Sequence, residues 1–352
     1  MTQIPTTPPD LVDEDTLARW NEARAGGIGA SEAAAALGFP EAWGDPLKLW
    51  AEKTGELDRA QPLDDLTRER LYWGHRMEPV LMAELTRRLP FSAWPADGSV
   101  ETSAGYQLVA DCGKLGSIFA STDLPWLRST PDGFARASKT LELDCCDGEP
   151  LRIAERERGL VEIKTSSAYV ADHWEGGPPE HYLVQVWQSL AVFELPWALV
   201  VVLVGGNDFR VYGVRRLDEE AEMGLMDRLA EFWGYVQSGE RPPQPEKGDP
   251  GWAKRLEALK LLHPADNAQP VVLAKETTKL LKRRETLKAQ IKDRQDEITE
   301  IEGRVREELG DHAVGVTLDG KFTATLSTVN VKASTRQVDA YTYRNLRLVQ
   351  SK

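Results

Sequence analysis

Two short motifs thirty residues apart contain acidic side chains of the kind that binds metal ions, and the second motif adds a lysine. The first is a Thr-Pro-Asp-Gly turn containing Asp132, and the second is a Val-Glu-Ile-Lys segment containing Glu162 and Lys164. On a strand, Glu162 and Lys164 point to one face while Ile163 points into the core. Asp132 on a neighbouring turn would join Glu162 in binding a hard cation such as Mg²⁺. A bound metal ion activates water for attack on phosphorus, and Lys164 would orient that water.

Each motif alone also has a plainer interpretation. A Glu-x-Lys pair on a strand is commonly an exposed ion pair, and Pro-Asp-Gly is commonly only a turn. The order of the two motifs, their spacing and the apolar strand around Glu162 favour a site that they form together.

Further segments add candidate side chains upstream and downstream. A Trp-Gly-His-Arg-Met-Glu-Pro segment places Glu78 on a predicted helix, and a Tyr-Leu-Val-Gln-Val segment places Gln185 on the helix after the Glu162 strand. Near the amino end, Arg24 and Ser31 flank a glycine-rich segment. In their order along the chain, these five motifs resemble those of the lambda-exonuclease-like, YqaJ-type viral recombinase branch of the PD-(D/E)XK nucleases, over residues 20–215.

The resemblance implies a fold and a set of roles. The fold is an α/β, restriction-endonuclease-like core with a mixed central sheet flanked by helices. Asp132, Glu162 and the Ile163 carbonyl bind Mg²⁺, with Mn²⁺ as a substitute. Lys164 assists the attacking water, Glu78 is a further acidic residue near the metal, and Gln185 supports the lysine or the substrate.

The resemblance also assigns Arg24 and Ser31 to a terminal 5′-phosphate. A guanidinium forks onto phosphate oxygens, and Ser31 lies at a predicted helix N-terminus, where free N–H groups favour anions. The alternatives are that Ser31 is only a helix N-cap and Arg24 a solvated charge. Trp20, one turn before Arg24, either packs in the core or flanks the DNA end.

The implied activity is a 5′→3′ exonuclease on double-stranded DNA ends that leaves 3′ single strands for phage-type recombination. The resemblance adds a ring-like homo-oligomer, often a trimer, a single-strand annealing protein as partner, and a phage or prophage origin in a bacterial cytoplasm. Two alternatives stay open: an endonuclease on the same core, structure-selective or non-specific, and a non-catalytic adaptor that binds DNA or protein. The intact Asp132, Glu162 and Lys164 count against the adaptor, and Arg24 and Ser31 favour an enzyme that reads ends.

Periodicity predicts the elements that position these residues. Strands are predicted at 159–164, 198–204 and 209–214, the second being apolar throughout and thus buried on both faces. Helical spacing predicts helices at 11–24, 31–37, 64–88, 180–193 and 218–236, and Asp45-Pro46 predicts the start of another.

Four prolines and a glycine at 241–250 predict a linker between a nuclease core, 1–240, and an appendage, 251–352. In the appendage, apolar residues seven apart predict a long coiled-coil-like helix at 275–309, and alternation around Asp319-Gly320 predicts a hairpin. Residues 275–294 hold eight basic and three acidic residues, a net +5, which would contact DNA or a partner or form a solvated face.

The composition limits the classes of protein to which this chain could belong. A net charge of −13 argues against coating nucleic acid by bulk positive charge, although it permits a narrow, metal-dependent contact. The three cysteines, Cys112, Cys145 and Cys146, fit neither a disulfide framework nor a four-cysteine iron–sulfur cluster. No apolar run is long enough to span a bilayer, so a soluble cytoplasmic protein is expected. The acidic stretch 142–157 is predicted to be an extended hairpin of unknown use.

Overall fold

The computed structural model describes residues 13–58, 64–97, 105–265 and 270–326. The helices are α1 Glu14–Ala25, α2 Ala33–Ala36, α3 Pro46–Thr54, α4 Asp65–Arg88, α5 Glu180–Phe193, α6 Glu219–Ser238, α7 Trp252–Leu262 and α8 Lys275–Leu309. Short 3₁₀ turns cover Ala30–Glu32, Gly113–Leu115 and Ala168–Trp174.

Thirteen strands lie between these helices in the described part of the chain. They are β1 Ile28–Gly29, β2 Phe91–Pro95, β3 Tyr106–Asp111, β4 Ser117–Ser121, β5 Leu127–Ser129, β6 Gly133–Ala137, β7 Leu141–Leu143, β8 Leu151–Ile153, β9 Arg158–Ser166, β10 Trp197–Val204, β11 Asp208–Arg215, β12 Val314–Val316 and β13 Thr323–Thr325. The predicted strands at 159–164, 198–204 and 209–214 correspond to β9, β10 and β11 and are confirmed.

The central sheet has five strands in the order β11-β10-β9-β6-β2. β10 runs parallel to β9 and antiparallel to β11, so the sheet is mixed, as expected for the α/β fold. Successive residues of β10 enter different apolar clusters: Val200 and Val202 join the cluster that contains α5, whereas Leu199 and Val201 join the cluster that contains α4. The prediction that this strand is buried on both faces is therefore confirmed.

A second sheet of four strands, in the order β1-β5-β4-β3, lies on the other side of α5. Val184 and Leu190 of α5 share one apolar cluster with Phe119 of β4, Leu127 of β5 and Val200 of the central sheet. Because α5 is packed by both sheets, its polar side chains are held in fixed positions relative to both.

The acidic stretch 142–157 forms a hairpin in which β7 pairs with β8. Leu151 and Ile153 of this hairpin are buried in the same cluster as Leu81 and Leu85 of α4. The backbone N–H of Cys146 donates to the carbonyl of Gly213 on β11, the last strand of the sheet. The hairpin thus helps α4 to cover one face of the central sheet and protects its exposed edge from pairing with another chain.

The chain divides into two compact units, residues 1–263 and 264–352. The first unit continues past the proline-rich segment because α7 packs on α3, with Arg255 and Ala258 buried. The structure thus adds α7 to the first unit, whereas the domain boundaries predicted from the sequence remain a prediction.

The second unit consists of α8 and the β12–β13 hairpin in its described residues. Both the helix at 275–309 and the hairpin around Asp319-Gly320 are confirmed. No helix in the described ranges is at once long and apolar enough to cross a bilayer.

Candidate active site

The turn before β6 and the middle of β9 bring Asp132 beside Glu162. β6 pairs with β9 so that Gly133 lies opposite Val161, which places the preceding Asp132 near Glu162. The backbone N–H of Ile163 donates to Asp132 Oδ2 at 2.6 Å. Ile163 itself is buried in the cluster that contains α4, so the predicted division of faces along β9 is correct.

Glu162, Lys164 and Gln185 form one hydrogen-bonded group. Lys164 Nζ donates to Glu162 Oε1 at 2.5 Å and to Gln185 Oε1 at 3.2 Å, and Gln185 Nε2 donates to the same Glu162 oxygen. Lys164 Nζ also lies 5.0 Å from the ring centroid of Tyr182, one turn before Gln185 on α5. The structure thus gathers the side chains of β9 and α5 that the sequence singled out.

Burial and neighbouring charges shift the pKa values of Asp132 and Lys164. Loss of hydration, followed by the neighbouring Glu162 and Glu78 carboxylates, raises the pKa of Asp132 well above its ordinary value. Burial alone would lower the pKa of Lys164, but Glu162 and Asp132 outweigh it and raise that pKa. Lys164 is therefore a cation and a hydrogen-bond donor in this arrangement, rather than a base.

Glu78 approaches the site from α4, close enough for its charge to act on Asp132. Its Oε1 lies 2.9 Å from His75 Nδ1, one turn earlier on the same helix. The sequence motifs did not single out His75, although a spacing of three residues on a helix is a usable signal for this contact.

The donor set fits a hard divalent cation. Asp132, Glu162 and Glu78 present only carboxylate oxygens, and their mutual repulsion around a poorly hydrated Asp132 is relieved by positive charge. Within the described ranges no group of three or more His, Cys, Asp or Glu side chains is close enough to hold a metal ion by itself. Mg²⁺ does not need such a group, because it binds through one or two carboxylates and keeps several waters.

Arg24 and Ser31 are brought together as the second predicted pair. Arg24 Nη2 donates to Ser31 Oγ at 3.2 Å and lies 2.8 Å from Glu32 Oε1. The guanidinium also stacks over Trp20, 5.5 Å from the ring centroid. Trp20 is only partly buried, so its contact with Arg24 is more prominent than any core packing.

Behind Arg24 lies a buried ion pair that the sequence did not reveal. Glu32 Oε2 is 2.6 Å from Lys53 Nζ on α3 and accepts from the backbone N–H of Gly29 at 2.8 Å. Lys53 Nζ also donates to the carbonyl oxygen of Arg24 at 2.6 Å. One carboxylate and one ammonium thus fix both the side chain and the backbone of Arg24. Twenty-one residues separate the pair, and no local pattern links them.

Ser31 lies in the first turn of a helical segment, as predicted, but Gly29 is the N-cap residue, so the alternative interpretation of Ser31 as a helix N-cap is wrong. Ser31 lies within the 3₁₀ turn Ala30–Glu32, which begins at Gly29 and runs into α2. The backbone bond from Gly29 to the Glu32 side chain closes this turn, so it begins one residue earlier than the expected helix. The Ser31 hydroxyl is left to accept from Arg24.

A second arginine, Arg128 of β5, lies along the glycine-rich segment. A Cβ atom at Gly26 would come within 2.5 Å of the Arg128 guanidinium, and one at Gly27 within 2.4 Å of the Trp126 carbonyl. Glycine is required at position 27 because the strand backbone approaches so closely, whereas at position 26 the neighbour is the flexible end of the Arg128 side chain, which could shift. No ion pair joins Arg128 to any residue of the described ranges, and burial lowers its pKa.

α5 connects the two groups of candidate residues. The fully buried Gln188, one turn after Gln185, donates at 2.8 Å both to the carbonyl of Ile28 and to that of Arg128. Ser189 donates to the Gln185 carbonyl and accepts from Ser129. The sequence prediction used only Gln185, although a second glutamine three residues later on a helix indicates a second polar contact on the same face.

A family model described as a YqaJ-like viral recombinase domain matches residues 19–195, a range that includes every predicted site residue. "Uncharacterized protein YqaJ" of Bacillus subtilis (strain 168) is 26% identical over 300 residues, which cover 84% of this chain and 79% of the relative.

Among solved structures, an alkaline exonuclease (LHK-Exo) from Laribacter hongkongensis aligns with 69% of this chain and 98% of its own, at 15% identity and a TM-score of 0.41. The complex of LHK-Exo with dAMP aligns over the same shares at 14% identity, with a TM-score of 0.39.

Proposed function

This chain belongs to the family of YqaJ-like viral recombinase domains, and from that premise we propose that it is a metal-dependent 5′→3′ exonuclease acting on double-stranded DNA ends. The observation that carries the proposal is the hydrogen-bonded group of Glu162, Lys164 and Gln185, beside which Asp132 is held by the backbone N–H of Ile163. These residues place acidic metal ligands beside a fixed cation, an arrangement suited to hydrolysing a phosphodiester.

Asp132, Glu162 and the Ile163 carbonyl would hold Mg²⁺, or Mn²⁺ in its place, with Glu78 as a further acidic neighbour. When bound, the ion lowers the pKa of the attacking water and neutralises charge that develops on the phosphate. Lys164 donates hydrogen bonds to that water or to a phosphate oxygen, from a position fixed by Glu162 and Gln185. Gln185 keeps both of its neighbours in place through one amide group.

Recognition of the DNA end is assigned to the other group. Arg24 offers its remaining N–H donors to a terminal 5′-phosphate, Ser31 supplies a hydroxyl, and Trp20 presents a ring beside them. Arg128 adds a second guanidinium next to the same glycine-rich segment. Capture of the 5′-phosphate would set the polarity and would leave 3′ single strands.

The wider setting follows from the same proposal. The 3′ single strands are the substrate of a single-strand annealing protein in a phage-type recombination system within a bacterial cytoplasm. A ring-like homo-oligomer, such as a trimer, would keep the duplex threaded between successive cuts. Sedimentation of the protein with and without duplex DNA measures this assembly directly.

The proposal is tested by incubating the protein and Mg²⁺ with three substrates: linear duplex with 5′-phosphate, linear duplex with 5′-hydroxyl, and closed circular duplex. We expect rapid loss of the phosphorylated strand from its 5′ end, slower loss with 5′-hydroxyl, and intact circles. Cutting of circles as fast as linear DNA would identify an endonuclease instead. No cutting of any substrate with Mg²⁺ or Mn²⁺ would favour a non-catalytic adaptor.

A further inference from the structure

Helix α8 presents an apolar stripe to solvent, interrupted at two positions by arginine. Its 35 residues extend over roughly 52 Å at 1.5 Å per residue. The exposed apolar side chains are Leu280 (68%), Leu287 (41%), Ile291 (68%), Ile298 (47%), Ile301 (56%) and Val305 (39%). Their spacings of seven, four, seven, three and four residues place them on one face, as in one strand of a coiled coil. We call these six residues the apolar stripe.

The charge of α8 reverses along its length. Residues 275–294 have eight basic and three acidic side chains, a net +5, whereas residues 295–309 have two basic and six acidic side chains, a net −4. Ion pairs within the helix join Arg284 to Glu285, Arg294 to Glu297 and Arg304 to Glu300. Most of the excess charge in each half, including that of Lys288 and Glu302, has no ion-pair partner in the described ranges.

We propose that α8 pairs in antiparallel orientation with α8 of a second copy of this chain. Antiparallel pairing places the basic half of each helix against the acidic half of the other, while the apolar stripes bury each other. The interface is self-complementary, as a twofold axis requires. The inference concerns the second unit and does not depend on the proposed nuclease activity.

Two arginines decide between the possible orientations. Arg284 and Arg294 occupy heptad positions within the apolar stripe, between Leu280 and Leu287 and between Ile291 and Ile298. In a parallel, in-register pair, Arg284 would face Arg284 and Arg294 would face Arg294, and the two basic halves would repel each other. In an antiparallel pair centred between residues 292 and 293, Arg284 faces Ile301 and Arg294 faces Ile291.

That register fixes the remaining contacts. Leu280 of one copy lies opposite Val305 of the second copy, and Leu287 lies opposite Ile298. Lys288 then flanks Glu302 of the second copy on each side of the axis, which pairs two charges that the single helix leaves without an ion-pair partner. The apolar contacts supply the affinity, and the charges select the orientation.

Cysteine cross-linking of the full chain tests the orientation. In a chain with both Leu280→Cys and Val305→Cys, the two thiols on one helix are roughly 38 Å apart and cannot bond to each other. Antiparallel pairing gives 280-to-305 disulfides between copies on mild oxidation, whereas parallel pairing gives 280-to-280 and 305-to-305 disulfides. Mass spectrometry of the cross-linked peptides distinguishes these disulfides from bonds made by the native cysteines. Disulfides of the 280-to-280 and 305-to-305 kind would overturn the proposal.

The mass of the full chain in solution tests the apolar stripe. We expect Leu287→Ser with Ile291→Ser to halve the mass by light scattering, and Ala289→Ser, on the opposite face, to leave it unchanged. Raising the salt concentration should weaken the pairing, because opposite charges face each other. A mass that is the same in all three proteins would overturn the proposal. A further variant replaces the lysines of 275–294 by glutamine. If this variant keeps its mass but binds DNA less tightly, the proposal is also overturned, because the basic half of α8 would then bind DNA.

Discussion

The backbone N–H of Ile163 donates a 2.6 Å hydrogen bond to the Asp132 carboxylate, and this bond joins two residues that are 31 positions apart in the sequence. It fixes Asp132 next to Glu162, on the face of β9 that α5 covers. The two carboxylates are therefore already positioned in the protein alone, so binding of the proposed cation would need little rearrangement.

Replacement of Asp132 by Asn should abolish metal binding without loss of fold. The Asn side-chain oxygen still accepts from Ile163, and removal of one charge relieves repulsion with Glu162 and Glu78. We expect Mg²⁺ to raise the melting temperature of the wild-type protein but not that of Asp132→Asn. An equal shift in both proteins would place the metal elsewhere.

Lys164→Ala should reduce cleavage by a factor of about 10²–10³ or more, because a preorganised donor at the reacting phosphate is lost. DNA binding, measured by fluorescence anisotropy, should remain. Lys139→Ala, an exposed lysine in the turn before β7, is the matched control. Normal cutting by Lys164→Ala would rule out its assigned role.

Arg24→Ala should remove the preference for phosphorylated ends. A charge-assisted hydrogen bond contributes roughly 1.5–3 kcal/mol, so the rate ratio between phosphate and hydroxyl ends should fall by about tenfold to a hundredfold. The rate on hydroxyl ends should change little. Equal slowing on both substrates would argue against a phosphate pocket.

The Glu32–Lys53 pair should be strongly coupled in stability. Its side chains are 7% and 0% exposed, so removing one partner leaves the other charged and buried. We expect Lys53→Met or Glu32→Gln alone to lower the free energy of unfolding by about 3–5 kcal/mol. The double substitution should cost clearly less than the sum of the two, as a urea-denaturation cycle would measure. Additive losses would show that the pair is not coupled.

Gln188→Leu should destabilise the first unit, because two buried carbonyls lose their donor. An unsatisfied buried group costs roughly 1–3 kcal/mol, so a loss of about 2–4 kcal/mol is expected in urea denaturation. Gln237→Leu, on the exposed surface of α6, should have almost no effect. If both variants unfold at the same urea concentration, Gln188 does not brace β1 against β5.

The sequence was most informative where a pattern is local. Three patterns each predicted an element correctly, since each needs only neighbouring residues: the alternation around Glu162 and Lys164, the apolar run of β10 and the heptads of α8. The short strands β1 to β8 were mostly missed, because two to six residues with mixed polarity look like a loop until other strands pair with them.

Contacts between distant residues were beyond such patterns. The bonds from Lys53 to Glu32 and to the Arg24 carbonyl could not be predicted, because only the folded chain brings these three residues together. The same holds for the hairpin at 142–157, whose acidic residues concealed that Leu151 and Ile153 are buried against α4. The roles of the gathered site residues stay predictions until the variants above are measured.

Helix α1, which carries Trp20 and Arg24, has no fully buried side chain. Polar bonds at its last turn therefore do much to hold it to the rest of the unit. They run from Arg24 to Glu32 and from Lys53 to the Arg24 carbonyl. Such a helix can open locally at a small free-energy cost while both apolar clusters stay intact. Under the proposed function, α1 would release the DNA terminus and bind it again at each step, while the sheet that carries the carboxylates keeps its packing.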